Sequence, residues 1–263
     1  MKSRSVNSAA IFTLLIILAA AFLFPIVMVL INSFKGRFFI STEPFSLPTG
    51  ETFVGLENYI SGLQKTGFFN AFGYSLFITV FSVAAIVLFT SMAGWYITRV
   101  KSRFNKIMYM ALVFSMVVPF QMVMFSMSKI ANILSLDNPI GIIVIYLGFG
   151  AGLSTFMFCG FVKSIPVDIE EAAMIDGCGP IRTFFTVVFP VLRPTTVTVA
   201  ILNAMWIWND YLLPLLIIGR DYKTIPLVIQ YLKGGYGSID MGAMMAMLVL
   251  AIIPIVVFYL SAQ

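Results

Sequence analysis

Few side chains in this sequence could do chemistry. The chain of 263 residues contains no histidine and only two cysteines, Cys159 and Cys178, whose spacing is not that of a metal site. A serine–histidine pair and an imidazole metal ligand are therefore excluded. The nucleotide-binding pattern G-x-x-x-x-G-K-[ST] is also absent. The best partial match, at Lys65-Thr66, has Gln64 at the position of the second glycine. We predict no catalytic residue, no metal site, no cofactor and two free thiols.

The acidic side chains are concentrated in one place. Four of the eleven acids fall within the nine residues 168–176. Asp168 followed three places later by Glu171 has the spacing of an acidic capping box, so we predict that a short helix starts at Asp168. Gly177 supplies the usual helix stop, and Pro180 prevents the helix from resuming.

This short helix carries charges, small residues and large apolar residues together. Such a helix between two apolar stretches does not belong in the bilayer, so it either lies against the membrane or docks into a partner. The alternative is a solvated amphipathic turn, because charge runs are usually solvated surfaces. In a docked helix the apolar side chains Ile169, Met174 and Ile175 would fill a groove of the partner, and Glu171 would meet a basic residue. The residues assigned to docking are Glu170, Glu171, Ala172, Ala173, Asp176 and Gly177.

A second polar constellation lies inside an apolar stretch near residue 210. Asp210 stands sixteen residues after Pro194, which is about 24 Å along a helix and near the outer third of a bilayer core. An ionisable residue in a span is costly and points to function. Asn203 and Trp206 would share its helix face. An aromatic ring can stack on the CH face of a sugar and a side-chain amide can bind its hydroxyls, so this face suits a sugar. Alternatively, Asp210 braces an outer loop and the tryptophans form an interface belt.

Polar residues within the apolar stretches are candidates for a transport pathway, and small ones are candidates for helix packing. Together with the constellation just described, the pathway candidates are Gln121, Asn203, Trp206, Asn209 and Asp210. Gln121 is the weaker candidate, because a lone glutamine in a span more often bonds a neighbouring helix. Gly148 and Gly152 have the spacing that lets two helices pack closely, although chance glycines are common in apolar spans.

Composition sets the fold class that must position these residues. Hydrophobic residues make up 60% of the chain and charged residues 10%, so we predict an all-α polytopic membrane protein. The net charge of +5 is modest and does not indicate nucleic-acid binding. Residues 35–67 are predicted to form an exposed loop and 220–240 an outer loop whose glycines at 234, 235 and 237 make it flexible. The six predicted transmembrane stretches are 5–34, 66–98, 107–128, 138–162, 194–219 and 241–260.

Basic residues predict the orientation of these spans. Four bases in eight residues, with no acid, follow the second span and place that loop in the cytoplasm. Six spans then put both termini, and the acidic helix at 168–176, on the cytoplasmic side. The four bases are Arg99, Lys101, Arg103 and Lys106.

The acidic helix and the segment after it resemble the EAA loop of ABC-importer permeases. The family pattern is Glu-Ala-Ala, three residues, Gly, nine residues, then Ile-x-Leu-Pro. Here Glu171-Ala172-Ala173 is followed by Gly177 and by Val187-Val188-Phe189-Pro190, in which Val and Phe replace Ile and Leu. The run Trp208-Asn209-Asp210-Tyr211 is similar to the Trp-Asn-(Asp/Glu)-Phe signature of sugar permeases.

The resemblance implies a permease subunit of the carbohydrate-uptake branch, with the ABC transporter type I permease fold. Residues 1–69 would form an N-terminal span and first extracellular loop, and 70–263 the transmembrane core with its coupling loop at about 163–193. The implied partners are a second permease, two cytoplasmic ATPases that bind ATP and magnesium, an extracellular binding protein, a carbohydrate and membrane lipid. The outer loop 233–238 would reach toward that binding protein. The implied location is a prokaryotic cell membrane.

Three other functions compete with a carbohydrate importer. An ABC permease for another solute is compatible with the spans, although a polycationic solute would call for more than one acidic residue along its path. An autonomous secondary transporter needs several buried ionisable groups, and the spans offer Asp210 alone. A non-transporting scaffold would leave the spacing of the EAA pattern unexplained.

Overall fold

The computed structural model describes residues 2–232 and 239–262, with side chains from residue 8 to residue 261. The regular secondary structure of this part of the chain is helical, apart from an isolated antiparallel bridge between Lys35 and Phe53. A 3₁₀ turn covers Gly50–Thr52 and a π turn Phe184–Val188. The α-helices are α1 Lys2–Asn32, α2 Arg37–Thr42, α3 Glu57–Thr66, α4 Phe68–Arg99, α5 Arg103–Ser115, α6 Phe120–Ile133, α7 Pro139–Val162, α8 Val167–Ile175, α9 Pro180–Thr183, α10 Phe189–Val191, α11 Arg193–Asn209, α12 Leu212–Ile217, α13 Ile225–Tyr231 and α14 Met241–Ala262.

Four of the described helices, α1, α4, α7 and α14, are long and apolar enough to cross a membrane. Two further pairs meet the same criterion together but are sharply bent. The chain direction bends by 108° between α5 and α6, and by 78° between the segment Pro180–Val191 and α11. Counting each bent pair as one span gives six, so the predicted all-α multi-span class is confirmed.

The predicted third span, 107–128, is wrong as a continuous helix. Helix α5 ends at Ser115 and α6 begins at Phe120, directly after Pro119. Proline has no N–H to donate to the preceding turn, and it disfavours helical backbone at the residue before it. Pro119 therefore stands at the break, with extended backbone at ψ 135°.

The chain divides into two units. The first contains residues Met1–Phe69 and Val228–Pro254, and the second contains Asn70–Leu227 and Ile255–Gln263. Part of the C-terminal region thus groups with the N-terminal segment. The division at residue 69 predicted from the sequence did not include this C-terminal part in the first unit.

In the first unit, the predicted exposed loop at 35–67 is a folded segment that contains α2 and α3. The Asn58 amide donates to the carbonyls of Ser33 and Lys35 at 2.9 and 2.8 Å. The Lys35 side chain is fully buried and donates to the carbonyl of Glu43 at 2.8 Å. Burial lowers the pKa of the Lys35 ammonium, and the Glu43 carboxylate opposes this shift. Prolines and glycines indicated a loop here, but side-chain donors satisfy its carbonyls and hold it folded.

The same unit contains an ion pair between Lys65, in α3, and Asp240, just before α14. Asp240 also accepts from the amide of Ala243 at 3.1 Å. Burial alone would raise the pKa of the Asp240 carboxyl, but these two hydrogen bonds and the charges of Lys65 and Arg37 hold the pKa below its ordinary value. The glycine-rich loop 233–238, predicted to be flexible, lies outside the described residues.

In the second unit, α7 is the central helix and touches α4, α5 and α11. A Cβ at Gly94 of α4 would stand 2.8 Å from the Cβ of Phe158 in α7. A Cβ at Gly150 would stand 2.6 Å from Ile86, and one at Gly152 would stand 2.6 Å from the Leu112 carbonyl of α5. Small residues therefore bring these backbones together, as is usual for membrane helices.

Of the predicted packing pair Gly148 and Gly152, only Gly152 packs closely against another helix, so the prediction is wrong for Gly148. Gly152 is buried against α5, whereas a Cβ at Gly148 would have no neighbour within 4 Å. The second close approach is at Gly150 instead. Because three helices surround α7, its glycines face different neighbours, and spacing alone did not distinguish them.

Helix α4 buries a stripe of small polar residues and exposes many of its large apolar ones. The Ser75 hydroxyl accepts from the amide of Ile225 at 2.9 Å, and Thr90 donates to the carbonyl of Ile86 at 2.6 Å. In lipid, the outer surface can be apolar and hydrogen-bonding groups are kept inside. The buried polar stripe is Ser75, Thr79, Ser82, Thr90 and Ser91.

We expect Gly152→Ala to destabilise the protein, since the new methyl would meet the Leu112 carbonyl, Met116 and Ser115 within 2.8 Å. Overpacking of this kind costs about 1–3 kcal/mol. Gly148→Ala, one helical turn away, has open space and serves as the control. The measurement is thermal unfolding of the purified chain in detergent, and equal midpoints for the two variants would contradict the packing described here.

Candidate functional site

The acidic helix predicted from the sequence is α8, and it begins one residue earlier than predicted. Its N-cap is Pro166, with no side-chain capping bond, and Asp168 lies in the first helical turn. The predicted capping box is therefore wrong. A residue inside the helix cannot cap it, and Asp168 can favour the helix only through its charge near the positive end of the dipole.

The end of α8 is formed at Gly177 as the sequence predicts, whereas the prediction that Pro180 delays the next helix is wrong, because Pro180 is the first residue of α9. Gly177 has a left-handed backbone with φ +83°. Its amide donates to the carbonyl of Met174, and the Cys178 amide donates to the carbonyl of Ala173, both at 3.0 Å. This pair of bonds is a Schellman motif, which requires a residue that tolerates positive φ. Gly177 as helix stop is thus confirmed.

Glu170 faces the interior of the second unit, where it is almost fully buried. Its Oε1 accepts from Nε and Nη2 of Arg99 at 2.9 and 2.7 Å, and its Oε2 accepts from Nε1 of Trp95 at 2.9 Å. Arg99 Nη2 also donates to the carbonyl of Ile165 at 2.9 Å. We call Glu170, Arg99 and Trp95 the clamp. It fixes α8 to the last turn of α4.

Sequence reasoning missed the clamp. Arg99 was interpreted only as a topology signal, and Glu170 as a surface charge next to Glu171. Both carboxylates stand on a nine-residue helix with no strong apolar periodicity, so the sequence did not show which one points inward. The only available signal was the position of Arg99 at the end of a span, where an arginine can pair with a buried acid.

The opposite face of α8 is open. Glu171, Ala172 and Asp176 are exposed, and Ala173 is half-buried. Among the described residues, the Glu171 carboxylate has neither a hydrogen bond nor an ion pair. Ile175 is 86% exposed and Met174 49% exposed, which is unusual for such large apolar side chains on a polar loop. We call this set the open face: Ile169, Glu171, Ala172, Met174, Ile175 and Asp176.

The second constellation lies at the end of α11, not inside a span. The predicted helix 194–219 is wrong, because α11 stops at Asn209 and Asp210 has an extended backbone at ψ 125°. Asp210 Oδ1 accepts from the amides of Leu212 and Leu213 at 3.0 and 3.4 Å, where α12 begins. Aspartate favours such bonds over continuing a helix. This geometry agrees with the bracing role weighed from the sequence.

Tyr146 of α7 connects Asp210 and Trp206. The buried Tyr146 hydroxyl donates to Asp210 Oδ2 at 3.0 Å, and its ring meets the Trp206 ring edge-on at 5.4 Å between centroids. Trp206 is 40% exposed, so one part of its ring remains open. Sequence reasoning missed Tyr146, although a tyrosine in a span needs a partner for its hydroxyl.

The remaining pathway candidates are separate from this cluster. Asn203 is buried and donates to Ser154 Oγ at 3.1 Å and to the Val199 carbonyl at 2.9 Å, so it joins α11 to α7. Asn209 is exposed and donates to the carbonyl of Met205 at 2.7 Å. Gln121 is exposed in the first turn of α6.

The cysteines are both unpaired, as predicted, with Cys159 buried and Cys178 partly exposed. Over residues 2–232 and 239–262 no group of three or more histidine, cysteine, aspartate or glutamate residues could hold a metal ion.

We expect Glu170→Gln to loosen α8, because it removes the charge that Arg99 meets while keeping the size of the side chain. Breaking a buried ion pair costs about 3–5 kcal/mol, and the slight exposure of Arg99 places this case at the lower end. The control is Glu171→Gln, which removes a solvated charge. The measurements are thermal unfolding and protease cutting within 163–180, and equal cutting of both variants would contradict the clamp.

Comparison with known proteins identifies the family. Residues 86–263 match the family described as binding-protein-dependent transport system inner membrane component. The probable starch degradation products transport system permease protein AmyC of Thermoanaerobacterium thermosulfurigenes is 39% identical over 249 residues, which cover 94% of this chain and 89% of AmyC. The multiple sugar-binding transport system permease protein MsmG of Streptococcus mutans is 35% identical, over 100% of this chain and 95% of MsmG.

A solved structure shares the fold. A chain of a bacterial ABC transporter involved in the import of the acidic polysaccharide alginate matches with a TM-score of 0.81 at 22% identity, covering 100% of this chain and 97% of that one. The resemblance to ABC-importer permeases stated from the sequence is confirmed. The family match over residues 86–263 and the 39% identity to AmyC show that the chain belongs to the binding-protein-dependent transport system inner membrane components.

Proposed function

We propose that this chain is a permease subunit of an ATP-driven importer that moves an oligosaccharide into the cell by alternating access. As a permease component of its family it is not an enzyme, and it has no cofactor of its own. Support for a sugar comes from the relatives, whose names refer to starch degradation products, to multiple sugars and to melibiose, raffinose and stachyose.

The open face of α8 is the observation that carries the proposal. It combines carboxylates that have no ion pair within the described part of the chain with large exposed apolar side chains, on a helix whose buried side the clamp fixes. A helix in this state is suited to fill a groove of another protein, with apolar anchors at the centre and charge at the rim. We assign that groove to a cytoplasmic ATPase. Glu170 contributes from the buried side, by fixing the helix that presents Glu171.

The assembly proposed around this chain has several subunits. A second permease would complete the transmembrane pathway, two ATPases would bind ATP and magnesium, and an extracellular binding protein would deliver the sugar. Both termini and α8 would lie in the cytoplasm, on the side of the bases that follow α4. Closure of the ATPases on ATP would move α8 and switch the spans between inward-open and outward-open states.

For the substrate, Trp206 is the preferred contact among the predicted candidates. Its ring is partly open and is held in place by Tyr146. Both Asp210 oxygens are already occupied by bonds within the chain, and the Asn203 amide joins two helices. We therefore assign Asp210 and Asn203 to supporting roles and keep Asn209 and Gln121, which are exposed, as further pathway candidates.

Glu171→Lys tests the coupling assignment. We expect ATP-driven uptake in vesicles reconstituted with the partner subunits and the binding protein to fall at least about tenfold, because like charges facing each other at an interface cost several kcal/mol. The control is Asp221→Lys, a charge reversal at an exposed residue outside α8. Undiminished uptake by the Glu171 variant would refute docking through this face.

Trp206→Ala tests the substrate assignment. Loss of ring stacking is worth about 1 kcal/mol, so we expect sugar uptake to fall about fivefold. Trp206→Phe keeps a ring against Tyr146 and should retain most of the uptake. The measurement compares uptake with ATP hydrolysis stimulated by the binding protein. A parallel loss of both activities in the alanine variant would point to a structural defect and remove Trp206 from the pathway.

A further inference from the structure

Three helix ends meet around a cavity in the second unit. Helix α4 ends at Arg99, α5 begins at Arg103, and α7 ends at Val162. The cavity between them has a volume of about 470 Å³. Its floor includes Tyr109 of α5 and Cys159 of α7, and its rim is formed by Lys101, Arg103, Lys106 and Lys163.

The charge of this cavity is entirely positive. Lys101, Arg103, Lys106 and Lys163 are exposed, and no acidic residue lines the cavity. Neither of the two ion pairs in the described part of the chain involves any of the four. Cations held this close repel one another, so an anion between them would be attracted by all four. Lys163 is remote from the other three in sequence, and folding brings it to the same cavity.

The surroundings of the cavity are those of a membrane interface. Tyr109 and Cys159 belong to apolar helices, whereas the four bases stand at or beyond the ends of those helices, at the level expected of lipid headgroups. Next to the bases, Phe104, Ile107 and Met110 are 69%, 61% and 50% exposed at three-residue intervals along α5. A ligand with a charged head and apolar chains would satisfy both surfaces.

We propose that this cavity binds the phosphate headgroup of an anionic phospholipid, with the acyl chains along the exposed face of α5. Basic pockets between membrane helices are suited to such headgroups. The bases alone would only set topology, but folding brings four cations from two separate chain segments to one cavity, and none of the four has an ion pair among the described residues. The inference needs the chain to be membrane-embedded and does not depend on which solute it transports.

The test compares lipid binding by the full chain and by Lys106→Gln/Lys163→Gln. The chain is purified in detergent and titrated with phosphatidylglycerol or with phosphatidylcholine, and bound lipid is counted by native mass spectrometry. One basic residue near an anionic headgroup is worth about fivefold in affinity, so we expect the double variant to bind phosphatidylglycerol about 25-fold more weakly. Phosphatidylcholine binding should be weak and equal in both proteins.

Two controls keep the result interpretable. Lys129→Gln/Arg220→Gln removes two exposed bases elsewhere and should bind phosphatidylglycerol as the unmodified chain does. Thermal unfolding in phosphatidylcholine should be equal for all three proteins, which shows that the variants are folded. Phosphatidylglycerol should raise the midpoint for the unmodified chain and the control, but not for the cavity variant.

Three outcomes would overturn the proposal. Equal phosphatidylglycerol binding by the cavity variant and the unmodified chain would show that the cavity holds no lipid. Full displacement of phosphatidylglycerol by inorganic phosphate would make this a site for the free anion. Equal weakening of phosphatidylglycerol binding in the cavity variant and in the Lys129→Gln/Arg220→Gln control would show that binding follows total charge and not this cavity. Failure of the coupling proposal would leave all these measurements unaffected, because none of them reads transport or ATPase binding.

Discussion

A buried carboxylate held by an arginine and a tryptophan decides how the rest of the second unit can act. Glu170 accepts three hydrogen bonds from Arg99 and Trp95, so the helix that bears it has one fixed face and one open face. Charge-assisted bonds in a buried setting are strong and directional. The clamp therefore links the helix that bears the open face to the end of α4, and a buried contact at Gly94 links α4 to α7.

The same helix α7 carries Tyr146 near its other end, where Asp210 and Trp206 meet. Contacts thus run without interruption from the open face of α8, through α4 and α7, to the start of α12. Glycines at the helix crossings keep these backbones close, and little flexible side-chain material lies between them. The polar stripe of α4 has a related role, since the hydroxyls of Ser75, Thr90 and Ser91 bond within the protein, away from the lipid-facing surface.

The sequence was sufficient for the features that depend on local chemistry. Long apolar runs predicted α1, α4, α7 and α14, and a glycine after a short helix predicted the end of α8 at Gly177. It was insufficient where a distant residue decides. Whether Glu170 or Glu171 turns inward depends on Arg99, seventy-one positions away, and the order within 35–67 depends on Asn58 and Lys35. The clamp and Tyr146 were missed for the same reason, whereas the candidate residues on the open face required only local spacing.

The sharp corner between α5 and α6 has a consequence for how this polypeptide can exist. Helices of 13 and 14 residues are about 20 Å long each, which is shorter than a hydrocarbon layer of about 30 Å. A broken span and a re-entrant loop would both put residues 116–119, which are not helical, inside that layer. Bare peptide groups are not tolerated against acyl chains. The amides of Met116 and Val117 bond to the carbonyls of Val113 and Phe114, so the turn itself satisfies part of this backbone. Met116, Val117 and Pro119 are exposed, so in a membrane water or a neighbouring polypeptide would have to cover the remaining polar groups of this corner.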